Sequence, residues 1–174
     1  MKQFIGLLCI TLVLLGCAAT TTETDSFDGT TIVRQAPFVV TSAKFGMPGI
    51  QFGFRWKGKV TDMVALDVGV QGVQTVRKVA FNMDGEIYEI NKPLHTFTDF
   101  QPGGKYPGWS FNSFAMPLSK FRKLAHAQNV KMKVTDINGY YTVGEFGRRK
   151  SWKYINQSGH FDDFLSRVGL QGHK

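Results

Sequence analysis

The chain has 174 residues with a formal net charge of +8, two cysteines and four histidines. That length suits one domain with a sizeable hydrophobic core. It leaves no cysteine framework to stand in for a core, because Cys9 lies in an apolar leader and Cys17 directly follows it.

The N-terminus reads as an export signal. Lys2 is the positive end, and Phe4 to Leu15 form an apolar run of about a dozen residues, short of the ~20 that span a bilayer. The run ends in Leu14-Leu15-Gly16-Cys17. This tetrapeptide resembles the lipobox of bacterial lipoproteins. The resemblance covers only the leader and implies cleavage after Gly16, a diacylglycerol thioether on Cys17 and acylation of the new amino terminus. Ala18, where an aspartate tends to retain lipoproteins in the inner membrane, implies an outer-membrane anchor facing the periplasm. An ordinary signal peptide cut near Cys17-Ala18-Ala19 is the competing reading. Residues 1–16 are therefore read as the signal peptide, 17–30 as the lipidated cysteine with a flexible Thr-rich tether, and 31–174 as one globular α+β domain.

Within that domain the first extended runs are Thr31 to Val33 and Phe38 to Thr41, with Pro37 predicting an edge strand or two short ones. Ile50, Phe52, Phe54 and Trp56 alternate with Gln51, Gly53, Arg55 and Lys57, which predicts a strand with one buried and one wet face. Val64 to Val70 repeats the pattern. Val76 to Asn82 and Glu86 to Ile90 flank the turn Met83-Asp84-Gly85. The stretch Gln101 to Trp109 is too rich in Gly and Pro for a regular element, and Ser110 to Met116 suits a strand. Leu118, Phe121, Leu124 and Ala125 mark one side of a helix, begun either by Pro117 or by Ser119 as its cap. Val130 to Thr135 and Tyr140 to Phe146 form a hairpin about Asn138-Gly139. Phe161, Phe164, Leu165 and Val168 predict a last helix, capped by Ser158, with Asp162 and Asp163 toward its positive end and Gly169 as its stop. The sum is an α+β fold, a mainly antiparallel sheet of about seven strands with two helices packed on it. A half-closed barrel is the alternative, and the two similar hairpins raise an internal duplication.

The chemistry is easier to exclude than to assign. The histidines have no ligand spacing, so no metal and no cofactor is expected. There is no Gly-x-Ser-x-Gly elbow, no free cysteine beside a histidine, and no phosphate loop at Gly103-Gly104-Lys105. Asp67 stands out as an acid within an apolar strand. Paired with a second acid such as Glu145 it would suit an enzyme acting on cell-wall glycan or lipid. The stronger reading is a non-enzymatic binding or structural module working through basic and aromatic loops. One such loop holds Arg148, Arg149, Lys150, Trp152 and Lys153; another holds Lys105, Tyr106 and Trp109. Export excludes nucleic acid as the partner of this basic domain. The expected partners are the membrane through Cys17 and then anionic lipid, acidic glycan or an envelope protein. An inhibitor or immunity role is a third reading, disfavoured by the positive charge against a cationic lysozyme.

Overall fold

The computed structural model describes residues 19–41, 48–104, 107–148 and 155–171. Its strands form two sheets. The first is six-stranded and contains β1 (Thr20–Thr24), β2 (Thr31–Thr41), β3 (Ile50–Lys57), β4 (Met63–Gln71), β7 (Asp99–Gln101) and β8 (Trp109–Pro117), in the order β1-β2-β3-β4-β8-β7. The second is five-stranded and contains β5 (Val76–Met83), β6 (Glu86–Ile90), β9 (Val130–Asp136), β10 (Tyr141–Gly147) and β11 (Ile155–Asn156), in the order β11-β10-β9-β5-β6. All pairings are antiparallel except β10 with β11. The expected α+β class with a mainly antiparallel sheet holds. The single sheet of about seven strands does not: alternation fixes which face of a strand is wet, but not which sheet it joins.

One core lies between the sheets. Ile50, Phe52, Phe54 and Trp56 of β3 point inward, in register with Val70, Val68 and Leu66 of β4, and Leu66 faces Phe114 of β8. The second sheet supplies Val79, Phe81, Val130, Met132, Val134 and Phe146. Two helices complete this core. Helix α1 (Leu118–His126) buries Phe121, Leu124 and Ala125. Helix α2 (Ser158–Gln171) buries Phe161, Phe164 and Val168. The Phe161 ring stacks 5.0 Å from Phe54 of the first sheet and 6.0 Å from Phe146 of the second, so one helical side chain joins both layers. Gly144 of β10 leaves room for Val40 of the other sheet: a Cβ there would lie 2.8 Å from Val40 Cγ1.

Several sequence expectations are corrected. The stretch 17–30 was expected to be a flexible tether, yet Thr20–Thr24 form β1, paired along its whole length with β2. Threonine is β-branched and suits a strand. Thr20 donates to Gln35 Oε1 at 2.6 Å in a buried site, and the carboxylates of Asp25 and Asp28 accept from the N–H groups of Phe27 and Thr30 in the turn that follows. The folded unit thus begins ahead of 31. In consequence β2 is one long interior strand rather than an edge. Pro37 is accommodated at a bulge between Gln35 and Phe38, where a missing N–H costs no ladder bond. At the start of α1, Pro117 itself occupies the N-cap, and the Leu118 N–H donates to the Asp62 carbonyl at 2.7 Å. Helix α2 runs through Gly169 to Gln171.

The two hairpins lie side by side, β5 pairing β9. Their turns differ. Asp84 and Gly85 both have positive φ, the two-residue type I′ pattern, whereas at Asn138-Gly139 only Gly139 does. The similarity read from the sequence is one of residue types, not of backbone.

Candidate functional site

The outer face of the six-stranded sheet carries a groove. Its floor comes from the wet positions of β3, β4 and β8: Gln51 and Arg55, Asp67, and Phe111 with Ser113. One wall is β2, with Arg34 and the bulge residue Pro37. The opposite wall is the segment from Leu94 to Gln101, held along β8. The Leu94 N–H donates to the Ser113 carbonyl at 2.7 Å, and the buried Asn112 amide donates to the carbonyls of Val76 (3.1 Å) and His95 (3.4 Å). Within this wall the His95 and Phe97 rings stack at 5.7 Å.

Two glycines shape the floor. A Cβ on Gly53 would meet the Gln35 carbonyl and Pro37 at 3.0 Å, so the bulged strand closes down over it. A Cβ on Gly69 would collide with the Phe111 ring, which lies across that position. The groove has two adjoining arms. The polar arm, ≈ 340 Å³, also takes in Asp99 and Gln101. The second arm, ≈ 450 Å³, is mainly apolar, with Ile32, Val60, Met63, Ala65, Leu94 and Ala115. Arg55 and His95 line both arms.

The polar arm holds two arginines and two aspartates, and only one arginine and one aspartate are paired with each other. Arg55 binds Asp67 through two hydrogen bonds of 3.0 Å, and Ser113 Oγ donates to Asp67 Oδ1 at 2.6 Å. This is a fork-on-carboxylate arrangement with a hydroxyl holding the acid in place. Arg34 is the register partner of Arg55 across β2 and β3, and among the described residues it has no acidic partner. The carboxylate of Asp99 likewise makes no ion pair among the described residues.

The loop residues expected to bind are only partly described. Cys17, Lys105, Tyr106, Arg149, Lys150, Trp152 and Lys153 lie outside the described residues. Trp109 stands on the groove-bearing face of β8, two residues before Phe111 and paired with Gln71 and Gln101. Arg148 is elsewhere. Its Nε donates to the Ala125 carbonyl at 2.8 Å and its guanidinium binds Asp162, so it ties the end of β10 to α1 and α2. Of the two acids considered for catalysis, Asp67 lines the groove, while Glu145 lies on β10 in the other sheet, 3.5 Å from Lys131 Nζ. The second acid in the concavity is Asp99.

Arg34, Arg55 and Asp99 were missed as site residues because each reads as an ordinary wet-face or loop charge. Only the pairing of β2, β3 and β4 brings the two arginines and Asp67 together. Among the described residues no cluster of three or more His, Cys, Asp or Glu side chains could hold a metal ion, and no helix is long and apolar enough to cross a membrane.

Together the fold and the groove define a two-sheet α+β protein with an amphipathic cleft on one outer face. Comparison with family models, curated proteins and solved structures finds no match to this chain.

Proposed function

We propose that the chain is a lipid-anchored cell-envelope protein, held at the outer membrane through Cys17 on its periplasmic side, and that it acts as a non-enzymatic binding module. In this reading the groove on the six-stranded sheet is the binding surface, and Trp109, on the same face of β8 as Phe111 and Ser113, adjoins it. The supporting observation is the pair Arg34 and Arg55: two arginines in direct cross-strand register, of which only Arg55 is matched by a carboxylate, that of Asp67 on the next strand. The unmatched charge of the exposed Arg34 is open to an anionic ligand.

The test has two parts. The intact mass of the protein from its native envelope should show loss of residues 1–16 and a lipid on Cys17. Isolated envelope lipid and cell-wall material should bind the wild type in low salt, and Arg34→Ser should bind about tenfold more weakly with no loss of melting temperature. A bare thiol at Cys17 overturns the anchor. Equal binding by Arg34→Ser overturns the groove.

A second reading, an enzyme acting on cell-wall glycan or lipid through paired carboxylates, is supported by the presence of Asp67 and Asp99 in one concavity. Asp67 is already engaged by Arg55 and Ser113, which suits a carboxylate that orients or attacks; Asp99 would be the proton donor. Release of product from envelope glycan or lipid by the wild type, and its loss in Asp99→Asn, would favour this reading over the first.

A further inference from the structure

The groove has a direction. Three of the strands that cross it present a polar side chain toward one end and an apolar one further along the same face, while β3 presents Arg55 and then Lys57. On β2 these are Arg34 and Ile32; on β4, Asp67 and then Ala65 and Met63; on β8, Ser113 and Ala115. Alternate residues on one face are about 7 Å apart, so the apolar stretch of β4 carries the cleft roughly 13 Å beyond Asp67. Val60 and Leu94, at the rim of the apolar arm, each keep half of their surface in water.

We infer that the groove binds an amphiphile with one acidic headgroup, the anion at Arg34 and the hydrocarbon chain along Ile32, Val60, Met63 and Leu94. Charge complementarity fixes the headgroup end. Arg34 faces Arg55 without an acid of its own, and an anion there relieves a like-charge pair. The other unmatched charge of the polar arm, Asp99, does not oppose it: β3, β4 and β8 lie between β2 and β7, a separation of about 19 Å at ~4.8 Å per strand. Lys57, in the apolar arm, is paired with Asp25 at 3.5 Å. The hydrocarbon end follows from the aliphatic lining of the second arm, since ligand sites are mostly apolar with a few placed polar groups.

Position supports the same occupant, in an argument that rests on the proposed anchor. Arg34 is in register with Thr21 of β1, and Thr20 follows Cys17 by only three residues. Three residues of extended chain reach at most about 11 Å. A lipid on Cys17 would therefore keep the Arg34 region of β2 within reach of the bilayer surface, where acidic amphiphiles are found.

The experiment is native mass spectrometry of the processed full chain released from zwitterionic micelles and titrated with dodecyl phosphate. The expected result is one saturable adduct per chain, weakened about tenfold by Arg34→Ser and by Met63→Glu. Dodecyl maltoside, with the same chain and no charge, should compete poorly, and so should butyl phosphate, with the charge and a short chain. Equal binding of butyl phosphate would make the site a free-phosphate site and overturn the role of the apolar arm. Equal binding of dodecyl maltoside would overturn the role of Arg34. Absence of any saturable adduct would overturn the inference. The intact mass of the same sample keeps the two proposals apart. A lipidated chain that binds nothing retains the anchor and loses the groove ligand; a chain without lipid that binds dodecyl phosphate does the reverse.

Discussion

Arg34 and Arg55 stand directly opposite each other across β2 and β3, and Asp67 gives both of its oxygens to Arg55. Like charges in direct cross-strand register are destabilising. Natural proteins accept such costs mainly where a site needs them. Replacing Arg34 with threonine, a β-branched residue suited to a strand, should therefore stabilise the fold by about 0.5 kcal/mol. Urea unfolding of wild type and Arg34→Thr checks this, the expected signature being a higher midpoint at unchanged slope. A destabilised variant would mean that Arg34 has a structural partner.

The opposite sign is expected on the other side of the pair. Asp67→Asn keeps the size of the side chain but removes the charge that matches Arg55. The Asp67 side chain is 13% exposed and that of Arg55 is 38% exposed. The loss should be moderate, about 1–2 kcal/mol, between a surface pair and a fully buried one. The Arg55→Met, Asp67→Leu double variant should recover part of it, because neither charge is then left unpaired. Double-mutant-cycle unfolding measurements on these variants give the coupling directly.

Asp84 shows a different use of a carboxylate. It was read as a turn residue, and it is one, at φ 52° in the hairpin between β5 and β6. It also accepts hydrogen bonds from the Gln128 N–H at 2.9 Å and the Asn129 N–H at 2.8 Å, clamping that hairpin to the loop after α1. The bond from Gln128, aided by those from Asn129, holds its carboxyl below the usual 3.8 against the opposing effect of burial. Asp84→Ala should cost about 1–2 kcal/mol, by loss of the acceptors and because alanine tolerates this positive φ less well than aspartate. Asp84→Asn should cost less, since asparagine tolerates that backbone and still accepts. The folded pKa is lowered, so the contribution of ionised Asp84 is present above the unfolded pKa and is lost as pH falls through the folded one. The wild type should thus lose its advantage over Asp84→Asn below about pH 4 in thermal unfolding.

These three carboxylate and guanidinium sites show what a single sequence carries. The wet and buried faces of β3, β4 and β9 were legible from alternation alone, because a period of two is a local property. Both helices were legible from the spacing of Phe121, Leu124, Phe161 and Phe164. What failed was non-local or balanced. Thr20–Thr24 has the polarity of a tether, and it becomes a strand because β2 offers it a free edge and Gln35 offers Thr20 a buried partner. The groove depends on Arg34, Arg55 and Asp67, which are far apart in sequence and meet only through strand register. Register is set by the sum of core contacts rather than by any residue nearby. Asp67 alone signalled itself, as a charge inside an apolar run, and the structure gives its reason as Arg55 and Ser113.

His160 provides a prediction on pH in which the sign can be worked through. Its ring stacks on Phe38 at 4.5 Å with the planes 12° apart, at the contact between α2 and β2. Burial lowers its pKa below the usual 6.5, and the nearby Asp163 carboxylate offsets this only in part. Asp163 is itself held below the usual value: burial pushes it up, but the Thr20 hydroxyl and Arg167 outweigh that. For a histidine whose folded pKa is depressed, the unfolded chain binds the proton more tightly. Stability should therefore be greatest above the unfolded pKa and decline as pH falls through about 6.5, levelling off once the folded ring is also protonated. His160→Phe keeps an aromatic ring against Phe38 and has no proton to bind, so its stability should be flatter between pH 7.5 and 5.5, a window about the unfolded pKa. Thermal unfolding of both proteins across that window tests the point. Parallel curves for wild type and His160→Phe would assign the pH dependence to other groups, whereas curves that converge at high pH and separate at low pH, with the wild type falling, would fix it on His160.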